Sequence, residues 1–339
     1  MEKQSLSSPQ TLTSAVKKQL LPVVFIAFIY AAAALYLYHN APRKAGCLLM
    51  VSSFAAALGA FLLSRRWINA FIASFFAGLL YGFGPYTIGF GLFHPSASFL
   101  IAAIPFSFCP AAFCCSKKTW FRPIGKALLF TLPFLVIFLF FWLPAGKGLF
   151  PLPIHIRLHL SSVKALLTPL AADPKQYPLV SFCHAPLAPL FMGLIMLIIA
   201  RRPVPILLLP AGIFLASCDS ILGISPIVFA AISVLTCAVL VGAGCQALVS
   251  ATAADQKWLI TAAAITLVLL TTTLALGLYN SRLFLFAAKM YTLATLPVII
   301  IFFIARAKLR LHALRWIILS AALALDILLS ARLMIDRIF

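Results

Sequence analysis

Long uninterrupted apolar runs constrain this chain more than any other feature. They recur over roughly 20–38, 45–63, 70–83, 96–114, 127–143, 186–200, 204–217, 227–248, 258–278, 284–304 and 316–334. About 20 apolar residues in a helix cross the ~30 Å hydrocarbon core of a bilayer. Inside that core no water satisfies the backbone, so each run must be a helix that pairs its own N–H and C=O groups. The expected fold is all-α, a polytopic transmembrane helical bundle of about 10–11 membrane helices. Charge agrees with it. Only 9% of residues are charged and 64% are hydrophobic, whereas a soluble domain carries about 25% charged residues. The first run, Leu20–Tyr38, is too long for the core of a signal peptide and has no small-residue cleavage site after it. It reads as a retained first helix.

The net charge of +20 has to be explained within that frame. The basic residues sit in short clusters between apolar runs, such as Lys17–Lys18, Arg65–Arg66, Lys117–Lys118, Arg201–Arg202 and the stretch 306–315. If the N-terminus is cytoplasmic, sixteen Lys and Arg of the short loops and tails fall on that side, and only Arg43, Lys44, Arg282 and Arg337 fall on the other. This is the asymmetry that orients membrane proteins, positive side inward. It places the N-terminus in the cytoplasm and makes membrane lipid the natural partner of the basic clusters. A basic surface interleaved with aromatic residues, as nucleic acid requires, is missing. The Ser/Gln/Thr-rich residues 1–16 read as a flexible cytoplasmic tail, and 17–339 as one transmembrane domain.

Two stretches depart from plain helix. Tyr81-Gly-Phe-Gly-Pro-Tyr-Thr-Ile-Gly-Phe-Gly-Leu-Phe-His-Pro95 holds four glycines and two prolines without a charge, so a helix has to break within it. Irregular backbone at that depth must be packed in protein or line a cavity. Just before it, Ser74, Gly78 and Gly82 form a small-xxx-small ridge suited to close helix packing. The second stretch, 144–185, is the one long loop and falls on the outer side. In Ile154-His-Ile-Arg-Leu-His-Leu160 the polar His155, Arg157 and His159 alternate with aliphatic residues, which suits a short strand or an interfacial segment.

Charges inside a membrane are costly and mark candidate functional positions. Asp326 lies near the middle of the last helix and Lys289 about two turns inside the preceding one. The two helices run antiparallel, so an intramembrane Asp326–Lys289 ion pair is expected. Asp173 and Asp219 fall on the outer side as candidate catalytic carboxylates, and His94, Arg157, His159, Lys164 and Lys175 are the candidates for binding an anionic substrate. His155 and His159 lack a third ligand at diagnostic spacing, so no metal site is expected. No cofactor-binding fingerprint, Walker loop, GxSxG or HExxH occurs. Cys114 and Cys115 fall at an inner helix end. Cys183 and Cys218 fall near the outer face, where an oxidising compartment would allow them to pair.

The segment Ala73-Ser-Phe-Phe-Ala-Gly-Leu-Leu-Tyr-Gly-Phe-Gly-Pro-Tyr86, followed by Gly91-Leu-Phe-His94 and Ala102-Ala-Ile-Pro105, resembles a stretch of the polytopic GT-C-type membrane glycosyltransferases. The helix from Ser225 to Leu248 is similar to another. The resemblance covers about a sixth of the chain. It implies transfer of a sugar from a polyprenyl-phosphate donor at the outer face of a cell-envelope membrane, the bacterial inner membrane. Enzymes of that group usually carry an acid in the first outer loop. Here that loop is His39-Asn-Ala-Pro-Arg-Lys44 and holds none, and the chain is short for the group. The base for an acceptor hydroxyl would then be Asp173 or Asp219, with Arg157, Lys164 and Lys175 for the donor phosphate.

Three readings remain open from sequence. The chain is a glycosyltransferase-like protein, active or degenerate. Alternatively it is a non-catalytic membrane subunit that packs against other membrane proteins, or a transporter of lipid or small molecules. A transporter should show broken helices in both halves, whereas the clear break here lies in the first.

Overall fold

The computed structural model describes residues 9–39, 43–93, 95–113, 122–142, 158, 185–219, 221, 224–280, 282–307 and 311–338. Among them the chain is helical with no strand, apart from an isolated bridge between Ile221 and Ile224. The helices are α1 (Pro9–Tyr38), α2 (Arg43–Ser64), α3 (Phe71–Gly82), α4 (Pro85–Phe93), α5 (Pro95–Phe113) and α6 (Arg122–Trp142). They are followed by α7 (Leu187–Ile199), α8 (Pro203–Ser217), α9 (Ala230–Ser250), α10 (Gln256–Asn280), α11 (Arg282–Arg306) and α12 (His312–Ile338). A 3₁₀ turn, Pro226–Phe229, leads into α9. Five helical stretches are long and apolar enough to cross a membrane: Gly46–Ser64, Phe71–Gly91, Pro226–Ser250, Ala288–Arg306 and His312–Arg332. Six shorter apolar stretches accompany them. The architecture is thus a polytopic, all-α helical bundle. α1 begins at Pro9, inside the stretch read from sequence as a flexible tail. Proline is well placed there, because the first helical N–H has no partner to lose. Residues 1–8 lie outside the described residues.

The centre of the bundle is α9, of which 94% of the apolar window is buried. It packs against α7, α8 and α3, while α2 packs against α3 and α5, and α10 pairs with α11. A helix apolar on every face belongs inside such a bundle. The outer helices instead turn large apolar side chains outward, among them Phe28 at 72%, Phe214 at 69% and Ile317 at 65% exposure. Such a surface suits lipid and not water.

Lipid gives helices no hydrophobic reason to associate, so close contact of small residues has to hold them. The Ser74–Gly78–Gly82 ridge does this against α2. A Cβ added at Gly78 would lie 2.6 Å from the Ala57 carbonyl oxygen, and one at Gly82 would lie 2.6 Å from the Ser53 oxygen. The approach of α7 to α9 is closer still. A Cβ at Gly193 would fall 1.8 Å from the Leu240 oxygen, and one at Gly244 would fall 1.7 Å from that of Pro189.

The break expected after Tyr81 is present and short. α3 ends at Gly82, the chain bends at Phe83–Gly84, and α4 resumes at Pro85. Phe83, Tyr86, Ile88 and Phe90 are all buried, so the bend is packed in protein. Polar groups near it are satisfied locally. Thr87 Oγ1 donates to the Tyr81 carbonyl at 2.5 Å, Tyr81 to that of Ile101 at 2.8 Å, and Tyr86 to that of Ile227 at 2.9 Å.

Candidate functional site

Three places concentrate polar chemistry. The first is the basic end of the bundle, where the connections 65–70, 200–202 and 251–255 meet the start of α12. Four of the first N–H groups of any helix have no internal partner, and at α3 a side chain from across the bundle supplies one. Gln246 Oε1 accepts the amides of Asn69 and Ala70 at 3.0 and 3.1 Å. At the end of α9 the reverse problem, unpaired carbonyls, is met by a buried cation. Arg315 Nη1 donates to Val249 and Ala251 at 3.0 and 2.6 Å. Arg202 Nη1 donates to the carbonyls of Arg66 and Trp67 at 3.3 and 3.1 Å. Arg65 donates to Asn69 O at 2.5 Å and lies 4.0 Å above the Phe71 ring. Burial lowers its pKa from the ordinary arginine value. The positive clusters of the sequence therefore also tie the loops of this end together.

The second place is Asp326. It is 5% exposed and lines a cleft between the start of α7 and the helices α11 and α12. The other walls are Pro186, Pro189, Leu293, Ala294, Pro297, Val298, Leu319, Ala322 and Leu323. At fourteen residues from His312, the acid sits about 21 Å along α12. What the structure brings to it is Tyr291, whose phenol feels the Asp326 charge and has no hydrogen-bond partner among the described residues. Lys289, expected as the partner, is exposed, while Tyr291 is 2% exposed. Residues two apart on a helix point to nearly opposite sides, so α11 can aim only one of them at α12. Ser330 Oγ donates to the Asp326 carbonyl at 2.6 Å.

The third place is the end opposite the basic cluster. Leu158, the one described residue between 143 and 184, is buried and donates its amide to the Ala216 carbonyl at 2.7 Å. Three residues beyond Ala216, Asp219 is exposed. Cys218 is a free thiol and donates to the Phe214 carbonyl at 3.3 Å; Cys183, its expected disulfide partner, lies outside the described residues. Arg332 Nη2 donates to the Tyr36 hydroxyl at 3.1 Å, which ties α12 to α1 here. His94, His155, Arg157, His159, Lys164, Asp173 and Lys175 also lie outside the described residues, as do Cys114 and Cys115. Among the described residues no three His, Cys, Asp or Glu cluster to hold a metal ion.

Sequence reasoning missed Gln246, Arg315 and Tyr291. For the first two a signal was available: a lone amide in an otherwise apolar helix, and a basic residue one turn inside another, both close to the positive end. Tyr291 carried no signal, because an apolar helix holding one phenol is ordinary.

Fold and sites together define a membrane-embedded, polytopic all-α protein. No protein-family model, curated protein or solved structure matches the chain.

Proposed function

We propose that the protein is a GT-C-like membrane glycosyltransferase that takes its sugar from a polyprenyl-phosphate donor at the end of the bundle opposite the basic cluster. Sugar transfer to a hydroxyl uses a carboxylate to accept the proton and cations to hold the departing phosphate. The observation that supports this reading is the bond from Leu158 to Ala216, three residues before the exposed Asp219. Leu158 is flanked in sequence by Arg157 and His159. The same end then offers a carboxylate and one fixed residue, Leu158, whose neighbours in sequence include the candidate cations. The basic end faces the cytoplasm in this reading, by the positive-inside rule, and the transfer takes place on the outer face of a bacterial inner membrane.

The test is binding of undecaprenyl phosphate to the full chain in nanodiscs, with Arg157→Ala/Lys164→Ala beside wild type. The double variant should bind about tenfold more weakly or worse, since each cation lost near a lipid phosphate is worth about 1 kcal/mol. Asp219→Asn should keep binding and lose sugar transfer. Equal binding by both proteins, or none by either, removes the donor site.

A second reading, a non-catalytic membrane subunit, is favoured by a different observation. The Asp326 cleft is walled almost wholly by apolar residues, and the helices around α9 close on one another through glycine. That is an architecture for packing. It predicts no donor binding and a stable complex with a second membrane protein.

A further inference from the structure

A second cleft, a shallow groove open on one side, lies between α2, α5, α8 and α9. Its walls are apolar, including Trp67, Leu63, Phe108 and Leu235. The only hydroxyl among them, on Thr236, is already donated to the Ile232 carbonyl at 2.7 Å. The cleft therefore asks nothing polar of an occupant. It starts at the basic end, where Trp67 follows the last turn of α2, and it runs inward. Leu235 precedes Gln246 by eleven residues, which puts it about 16 Å deeper than the latch on Asn69 and Ala70. Beside the cleft, Phe113 and Leu207 face outward at 47% and 64% exposure, so its flanks belong to the lipid-facing surface.

The mouth has a different character. Arg202 is exposed, yet its guanidinium is held in place by the carbonyls of Arg66 and Trp67. Arg66 itself is exposed alongside it. Only Nη1 of Arg202 is engaged in those two bonds, and a guanidinium has five N–H donors in all. Tryptophan at the mouth is the residue that favours the boundary between headgroups and chains. An apolar channel one side of that boundary and fixed positive charge on the other match a single class of molecule.

We infer that this cleft is a binding site for an anionic phospholipid of the leaflet at the basic end, with one acyl chain between α5 and α8 and the phosphate on Arg66 and Arg202. Charge complementarity selects the headgroup, and the apolar depth selects a chain over a soluble anion. The site is distinct from the donor site proposed at the opposite end, and neither depends on the other.

Tryptophan quenching tests it. The full chain, with Trp67 as its one tryptophan and the others replaced by Phe, is placed in phosphatidylcholine nanodiscs. Lipid brominated on its acyl chain is then titrated in, as phosphatidylglycerol or as phosphatidylcholine. Brominated phosphatidylglycerol should quench Trp67 at a mole fraction about tenfold lower, because each basic residue near a lipid phosphate contributes about 1 kcal/mol. Arg66→Gln should remove about half of that preference on a logarithmic scale. Ala112→Phe, which fills the cleft, should abolish preferential quenching while the helical circular dichroism stays unchanged. Equal quenching by the two lipids would show ordinary boundary lipid and overturn the site. So would a preference that survives Ala112→Phe, or one that inorganic phosphate alone displaces.

Discussion

Replacing Gly193 by alanine adds one methyl group where α7 meets α9, and the structure gives the consequence a size. The new carbon would stand 1.8 Å from the Leu240 carbonyl oxygen and 2.9 Å from the Gly244 nitrogen. Ordinary contact begins near 3.4 Å, so the two backbones must part by about 1.6 Å, and neither obstacle is a side chain that can rotate. Forcing a methyl into a packed contact of this kind costs about 3 kcal/mol. Alanine returns about 1 kcal/mol through its helix propensity. The net loss is about 2 kcal/mol, or about a thirtyfold fall in the folded-to-unfolded ratio. Gly59→Ala is the internal control. Its added carbon meets the Phe106 ring at 2.9 Å and Pro105 Cγ at 3.0 Å, and Phe106 is partly exposed and able to turn. The expected change there is within about 0.5 kcal/mol, as for sites away from fixed obstacles. Unfolding of both variants in mixed micelles with increasing SDS, followed by far-UV circular dichroism, gives the comparison. If Gly193→Ala is as stable as Gly59→Ala, the α7–α9 contact is not the tight seam described.

Two more outcomes follow from the polar contacts. Gln246→Ala should destabilise the basic end by about 1–2 kcal/mol, because two amides of the α3 start lose their acceptor. Gln246→Glu should restore most of it, with hydrogen exchange at Asn69 and Ala70 as the readout. In a double-mutant cycle, Asp326→Asn and Lys289→Met should be additive within about 0.5 kcal/mol, whereas Asp326→Asn and Tyr291→Phe should not. Coupling of Asp326 to Lys289 in that cycle would overturn the assignment of Tyr291 as its neighbour.

The local requirements of a membrane were legible in the residues alone. Apolar runs of about 20 residues leave the backbone no choice but helix, so the all-α class followed from spacing. Proline and glycine after Tyr81 had to end a helix, because one lacks an N–H and the other resists helical order, and α3 does stop at Gly82. The ridge of Ser74, Gly78 and Gly82 was visible as small residues four apart. Its partner was not, since nothing in those letters points to Ala57 and Ser53. Packing decided that, as it decided which face of α11 meets Asp326. Depth along two antiparallel helices suggested Lys289 as the neighbour of Asp326, but rotation about the helix axis is set by tertiary contacts, and on α11 it is Tyr291 that is buried while Lys289 is exposed. Apolar residues cover nearly every face of these helices, so periodicity carries little information about which face is buried. The cleft behind Trp67 is the same kind of result. Its wall residues come from four helices that are remote in sequence, and only their assembly beside Arg66 and Arg202 makes a place for a charged lipid.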